Sequence, residues 1–236
     1  MKKDLVLDFD IQAQPDDVTC GPTTLHAVYQ YYGNQIPLRQ VIKEVKQLKR
    51  GGTLAVMLGL HALEQGYKAT VYTYNLHIFD LSWFKHSNQE LVTFLRKQMR
   101  YKKEKRKLQT ASSAYIEFIK KGGEVKYAEL DENVFKEYLR KSVPILVGLS
   151  ATYLYGTMRE NPDTNTYDSI KGEPAGHFVI IKGFDEENNC VYIADPMHPN
   201  PLAKSQEYSV SFIRLINSIM LGIVTYDANL LMIETK

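Results

Sequence analysis

Residues 14–33 read QPDDVTCGPTTLHAVYQYYG. A cysteine stands before a glycine, a proline and two threonines, and an apolar stripe follows. Pro22 suits the first turn of a helix, where its missing N–H has no intrahelical partner. Leu25, Val28, Tyr29 and Tyr32 recur at helical spacing, and Gly33 fits the C-terminal cap. The pattern predicts a helix over 21–32 with Cys20 at its entrance. This is a place where unpaired N–H groups and the helix dipole favour a thiolate.

Working outward, the pattern predicts a second helix over 38–48, with Val41, Val45 and Leu48 inward. A third helix lies within GGTLAVMLGLHALEQGYKATVYTY, with Thr53 as N-cap and Gly66 as stop, before a strand at 68–74. Helices are expected over 86–107 and 112–121, ended by Gly122 and Gly123. EVKYAEL reads as a short strand, and Asp131 caps a helix ending near Lys141.

The character then changes. PILVGLS is a buried strand, and RENPDTNTYDSIKGEPAG an exposed loop. HFVIIKGF and CVYIAD pair as a hairpin around DEENN, SVSFIRLINSIM is helical, and NLLMIE is a further strand. Helices followed by mainly antiparallel strands give an α+β class. No internal repeat or low-complexity tract is found.

The chain has 236 residues, 44% hydrophobic and 24% charged, with a net charge of +2, so the global balance names no partner. No apolar run approaches the roughly 20 residues needed to span a bilayer. Asp4, Asp8 and Asp10 interrupt what would otherwise start like a signal peptide, so the expected setting is intracellular and cytoplasmic. The two cysteines, Cys20 and Cys190, make no disulfide framework and are expected as free thiols.

A thiolate nucleophile needs a histidine, a group to orient that histidine, and donors for the developing oxyanion. Gln14, six residues before Cys20, offers an amide, and the Cys20 N–H offers a second donor. Of six histidines, His26 and His61 lie within helices, and His77 and His86 flank a surface segment. His177 opens a strand and Asp195 ends its hairpin partner, so this pair is the best base and orienting carboxylate. His198, in a proline-rich turn, is the rival base. No metal-ligand spacing occurs.

Together, Q-x5-C-G, then G-H-F at a strand start, then A-D-P at the end of the next strand resemble the C39-like branch of the papain-like cysteine peptidases. GGTLAVMLGLHALEQGYKA is similar to that family's second conserved stretch. The resemblance covers about residues 11–75 and 131–235. It implies a papain-like fold, with a helical half carrying the cysteine and an antiparallel sheet half carrying His and Asp. It also implies one domain over 1–236, and residues at about 76–122, which depart from the family pattern, read as a helical insertion.

By the same resemblance, Cys20 is the nucleophile, His177 the base, Asp195 the orienting residue and Gln14 the oxyanion donor. The substrate is a peptide or protein, and no cofactor or metal is required. The best-known members are transporter domains that cleave leader peptides after two glycines. This chain carries neither a membrane nor a nucleotide-binding domain, which leaves the substrate open. The alternatives are acyl transfer on the same fold, or a non-catalytic module that binds through its basic segment. That segment, residues 96–107 (RKQMRYKKEKRK), carries eight basic residues and one acid. It suits an acidic partner, whereas one tyrosine is too little aromatic interleaving for single-stranded nucleic acid.

Overall fold

The computed structural model describes residues 4–49, 51–164 and 166–236. A short strand β1 (Asp4–Val6) leads to α1 (Cys20–Tyr31), α2 (Leu38–Glu44), α3 (Ala55–Glu64) and β2 (Lys68–Thr73). Then come α4 (Asn88–Tyr101), α5 (Arg106–Lys120), β3 (Glu124–Lys126), α6 (Glu132–Arg140), β4 (Ile145–Ser150) and α7 (Ala151–Tyr155). A tiny hairpin, β5 (Glu160–Asn161) and β6 (Thr166–Tyr167), interrupts the polar loop. The chain continues through β7 (Gly176–Asp185), β8 (Cys190–Ala194), β9 (Glu207–Ser211), α8 (Phe212–Leu221) and β10 (Asn229–Glu234).

Apart from the β5–β6 hairpin, the strands form one sheet in the order β3-β2-β10-β4-β7-β8-β9, with β1 added to β7. Only the β2–β3 pairing is parallel among these. The period-2 alternation of strand side chains divides the core. Leu146, Phe178, Ile180, Leu231 and Ile233 pack with α1, α3 and α5 on one face. Val147, Val179, Ile181, Leu230 and Met232 pack with α6, α7 and α8 on the other. The α+β class is as expected. The sheet is covered on both faces.

Several boundaries shift for physical reasons. Helix α2 ends at Glu44, where Val45 turns extended, four residues short of expectation. Thr53 does not cap α3: its hydroxyl donates to the Lys46 carbonyl at 2.8 Å, and Leu54 takes the N-cap position. The expected helix over 86–107 is broken. Ser87 and Glu90 form a reciprocal capping box that starts α4. The Gln109 side chain then donates to the carbonyls of Met99 and Lys102, closing the α4 end. The basic segment is therefore a helix–turn–helix corner. SVS belongs to β9, not to the following helix.

The segment 76–122 does more than add surface. Leu108, Ala111, Tyr115 and Phe118 of α5 are buried in the core shared with α1 and α3. Residues 75–107 also reach the turn before β10. Asn75 donates to the Tyr226 carbonyl at 3.1 Å, His77 stacks on the Tyr226 ring, and Lys107 lies 5.5 Å above that ring.

Candidate active site

Helix α1 begins at Cys20 itself, one residue earlier than expected, after Thr19 at the N-cap. The first N–H to bond back is that of Thr23, to the Thr19 carbonyl at 3.0 Å. The N–H groups of Cys20 and Gly21 thus have no intrahelical acceptor, and Pro22 has none to satisfy. Gly21 has a steric reason. A Cβ there would sit 2.5 Å from the Thr53 methyl and 3.3 Å from Phe178, so glycine lets α1 seat closely between α3 and β7.

His177 is buried at the start of β7, paired with Leu149 of β4. Its Nε2 lies 2.8 Å from Asp195 Oδ1. The Cys20 side chain is its other partner, which leaves Nδ1 for the sulfur. Burial alone would lower the His177 pKa, but the Asp195 carboxylate and Cys20 outweigh it and push it up to about 10. The β7–β8 ladder ends at Ile180 with Ala194, so Asp195 lies just beyond the paired residues and reaches His177 through its side chain.

Asp195 is fully buried and surrounded by donors. Besides His177, Oδ1 accepts from the Met197 N–H at 2.9 Å. Oδ2 accepts from Tyr155 at 2.8 Å, Tyr208 at 2.6 Å and Asn200 at 3.0 Å. Burial works against ionisation here, but His177, Tyr208 and Met197 hold the carboxyl below its ordinary range. Burial and Asp195 raise the Tyr155 and Tyr208 pKa values, keeping both as donors. The sequence reading did not include Tyr155, Tyr208 or Asn200, which have no distinctive spacing from the triad candidates.

Gln14 is tied to the same loop by its own N–H, which donates to the Pro196 carbonyl at 2.8 Å. Its side-chain Nε2 donates to Asp16 O at 2.8 Å, and its Oε1 is buried without a donor among the described residues. The remaining histidines are elsewhere. His61 bonds Tyr29 and Glu44, His86 pairs with Glu90, and His26 is buried in α1 with its pKa lowered by burial. His198 is exposed. Both cysteines are free thiols. Cys190, on β8, has its pKa raised by burial and by Asp185.

A cavity of about 210 Å³ opens beside Cys20, walled by Asp17, Gly51, Gly52, Gly176, Phe178 and Asp227, among others. Asp227, also outside the sequence reading, is 6% exposed. A larger hollow of about 450 Å³, between Leu76, Trp83, Phe94, Lys97 and Tyr101, shares no lining residue with it. No group of three potential metal ligands occurs among the described residues, and no described helix is long and apolar enough to cross a membrane.

A cysteine at a helix start, a buried imidazole and a donor-rich carboxylate can be compared with known proteins. A protein of Bacillus anthracis described as a C39-like peptidase superposes with a TM-score of 0.51 and 15% identity, covering 99% of this chain and 98% of its own. Xylellain, a cysteine protease from Xylella fastidiosa, gives 0.48 and 15%, covering 100% and 87%. A double glycine motif protease from an AMS/PCAT transporter, solved with its leader peptide, gives 0.47 and 16%, covering 98% and 94%. No curated protein matches. The fold is that of the papain-like C39 peptidases. The sequence profile of the Peptidase_C39 like family matches residues 6–217, and the chain belongs to that family.

Proposed function

We propose that the chain is a cysteine peptidase that hydrolyses a peptide bond through an acyl-enzyme on Cys20. The reading is carried by one observation: His177 lies between the Cys20 sulfur and the Asp195 carboxylate, beside an open cavity. In this reading Asp195 accepts a hydrogen bond from the Nε2–H and fixes the ring, and the imidazolium keeps the sulfur as a thiolate.

The thiolate attacks the substrate carbonyl, and the Cys20 N–H donates to the oxyanion. Gln14 supplies the second donor once its side chain releases Asp16 O. His177 then protonates the leaving amine and the C–N bond breaks. The thioester is cleaved by water, which gives its proton back to His177. We take 1–236 as one domain and 76–122 as an insertion whose α5 supports one wall of the cleft.

The test is to incubate wild type and Cys20→Ala with a lysate peptide mixture in H₂¹⁸O. Products are then identified by mass spectrometry. We expect new C-termini carrying ¹⁸O with wild type and none with the variant. Equal cleavage by Cys20→Ala would overturn the reading.

A further inference from the structure

We propose that Asp227 selects a cationic side chain, lysine or arginine, in the acyl half of the substrate. The inference rests on the peptidase reading, because it assigns the cavity beside Cys20 to the part of the substrate that becomes attached there.

The carboxylate is built into place. Tyr226 and Ala228, on either side of it, both adopt left-handed backbone, with φ of 73° and 60°. Non-glycine residues rarely take this conformation, and such strain concentrates at functional sites. The Asp227 N–H donates to Gly222 O at 3.0 Å, and the Ala228 N–H donates to Gly148 O at 3.1 Å. Opposite, the carboxylate occupies the space a Cβ at Gly176 would need. Only glycine there, one residue before His177, lets Asp227 reach the cavity.

The carboxylate is also left wanting. The Thr225 hydroxyl lies 2.6 Å from Oδ2, and Oδ1 takes no donor among the described residues. Lys107 is held over the Tyr226 ring, does not line the cavity and makes no ion pair with Asp227. His177 is engaged by Asp195 and Cys20. The described residues lining the cavity thus include the Asp227 carboxylate and no cationic side chain. Burial raises the Asp227 pKa to about 7, against Thr225, His177 and Lys107. A buried carboxylate with no cation in direct contact is costly, and a substrate cation relieves that cost.

The test uses dipeptidyl chloromethyl ketones that differ at one side chain, lysine, norleucine or glutamate, at the first or second residue from the reactive carbon. The readout is the second-order rate of Cys20 alkylation, by intact mass and peptide mapping. We expect lysine to exceed norleucine by about 10- to 100-fold at one position, the range of one charge-assisted hydrogen bond. In Asp227→Asn the ratio falls towards one. A wild-type ratio near one at both positions overturns the proposal without any variant, so a folding defect in Asp227→Asn cannot shield it. A ratio preserved in Asp227→Asn overturns it equally. Both results leave the peptidase reading standing. If no reagent alkylates Cys20 faster than Cys190, the peptidase reading falls and the proposal falls with it.

Discussion

Two buried carboxylates stand within reach of the same imidazole, and they are treated in opposite ways. Asp195, in the loop after β8, receives five donors from His177, Met197, Tyr155, Tyr208 and Asn200. Asp227, on the wall formed by the turn before β10, has, among the described residues, the Thr225 hydroxyl alone. Both side chains are desolvated, so burial does not separate them. The donors do: one carboxyl is held below its ordinary range and the other is pushed up to about 7. A fully satisfied anion is positioned to hold another group still. An under-satisfied one keeps its capacity for a ligand.

The largest effect expected from breaking this contrast is that of Asp195→Ala. It leaves the His177 cation and the Tyr155, Tyr208 and Asn200 side chains without their acceptor. Removing one partner of a buried ion pair costs about 3–5 kcal/mol. Urea unfolding of the variant measures it, and a loss under about 1 kcal/mol would mean that the network holds little.

Asp227→Asn is expected to act in the other direction, with a pH dependence. The folded-state pKa is raised from 3.8 to about 7, so in that window the native chain binds a proton that the unfolded chain has released. Stability therefore falls as pH rises from about 4 to 7. Asparagine removes this loss. The variant matches wild type near pH 4 and exceeds it above pH 7, by on the order of 2–4 kcal/mol. Asp195 has the opposite sign: its contribution is present above the ordinary carboxylate range and is lost as pH falls. Thermal melts at pH 4, 6 and 8 check the pattern, and a variant that is less stable at pH 8 would reverse the assignment.

The smallest change is Tyr208→Phe, which deletes one of five donors to Asp195. We expect about 1–2 kcal/mol of destabilisation and only a partial fall in the Cys20 alkylation rate. A loss as large as that of Asp195→Ala would show that Tyr208, not His177, anchors the carboxylate.

What the sequence made legible depended on local punctuation. Pro22 and Gly33 bound α1, Asp131 caps α6 through the N–H groups of Asn133 and Val134, and the turn at 185–189 joins β7 to β8. Features set by distant contacts were not legible. The break after Tyr101 has no glycine or proline, and depends on Gln109 reaching back to two carbonyls. Strand β9 is a partly exposed edge with few apolar residues, so its last three residues, SVS, read as the start of the next helix. Asp227 sits in TYDAN, which reads as an ordinary turn. The left-handed residues beside it, and the missing Cβ at Gly176 opposite, emerge only in three dimensions.

The strand order has a consequence for synthesis. Among the described residues, β10 alone joins the β3–β2 pair to the β4–β7–β8–β9 ladder. A ribosome delivers β10 after all of these, so the nascent sheet exists as two unjoined pieces until residue 234 has emerged. The turn that carries Asp227 leads directly into β10. The side of the cavity formed by Thr225 and Asp227 is therefore placed in the same late event that unites the sheet. A chain still lacking β10 carries a thiol and an imidazole without the Asp227 side of the cavity.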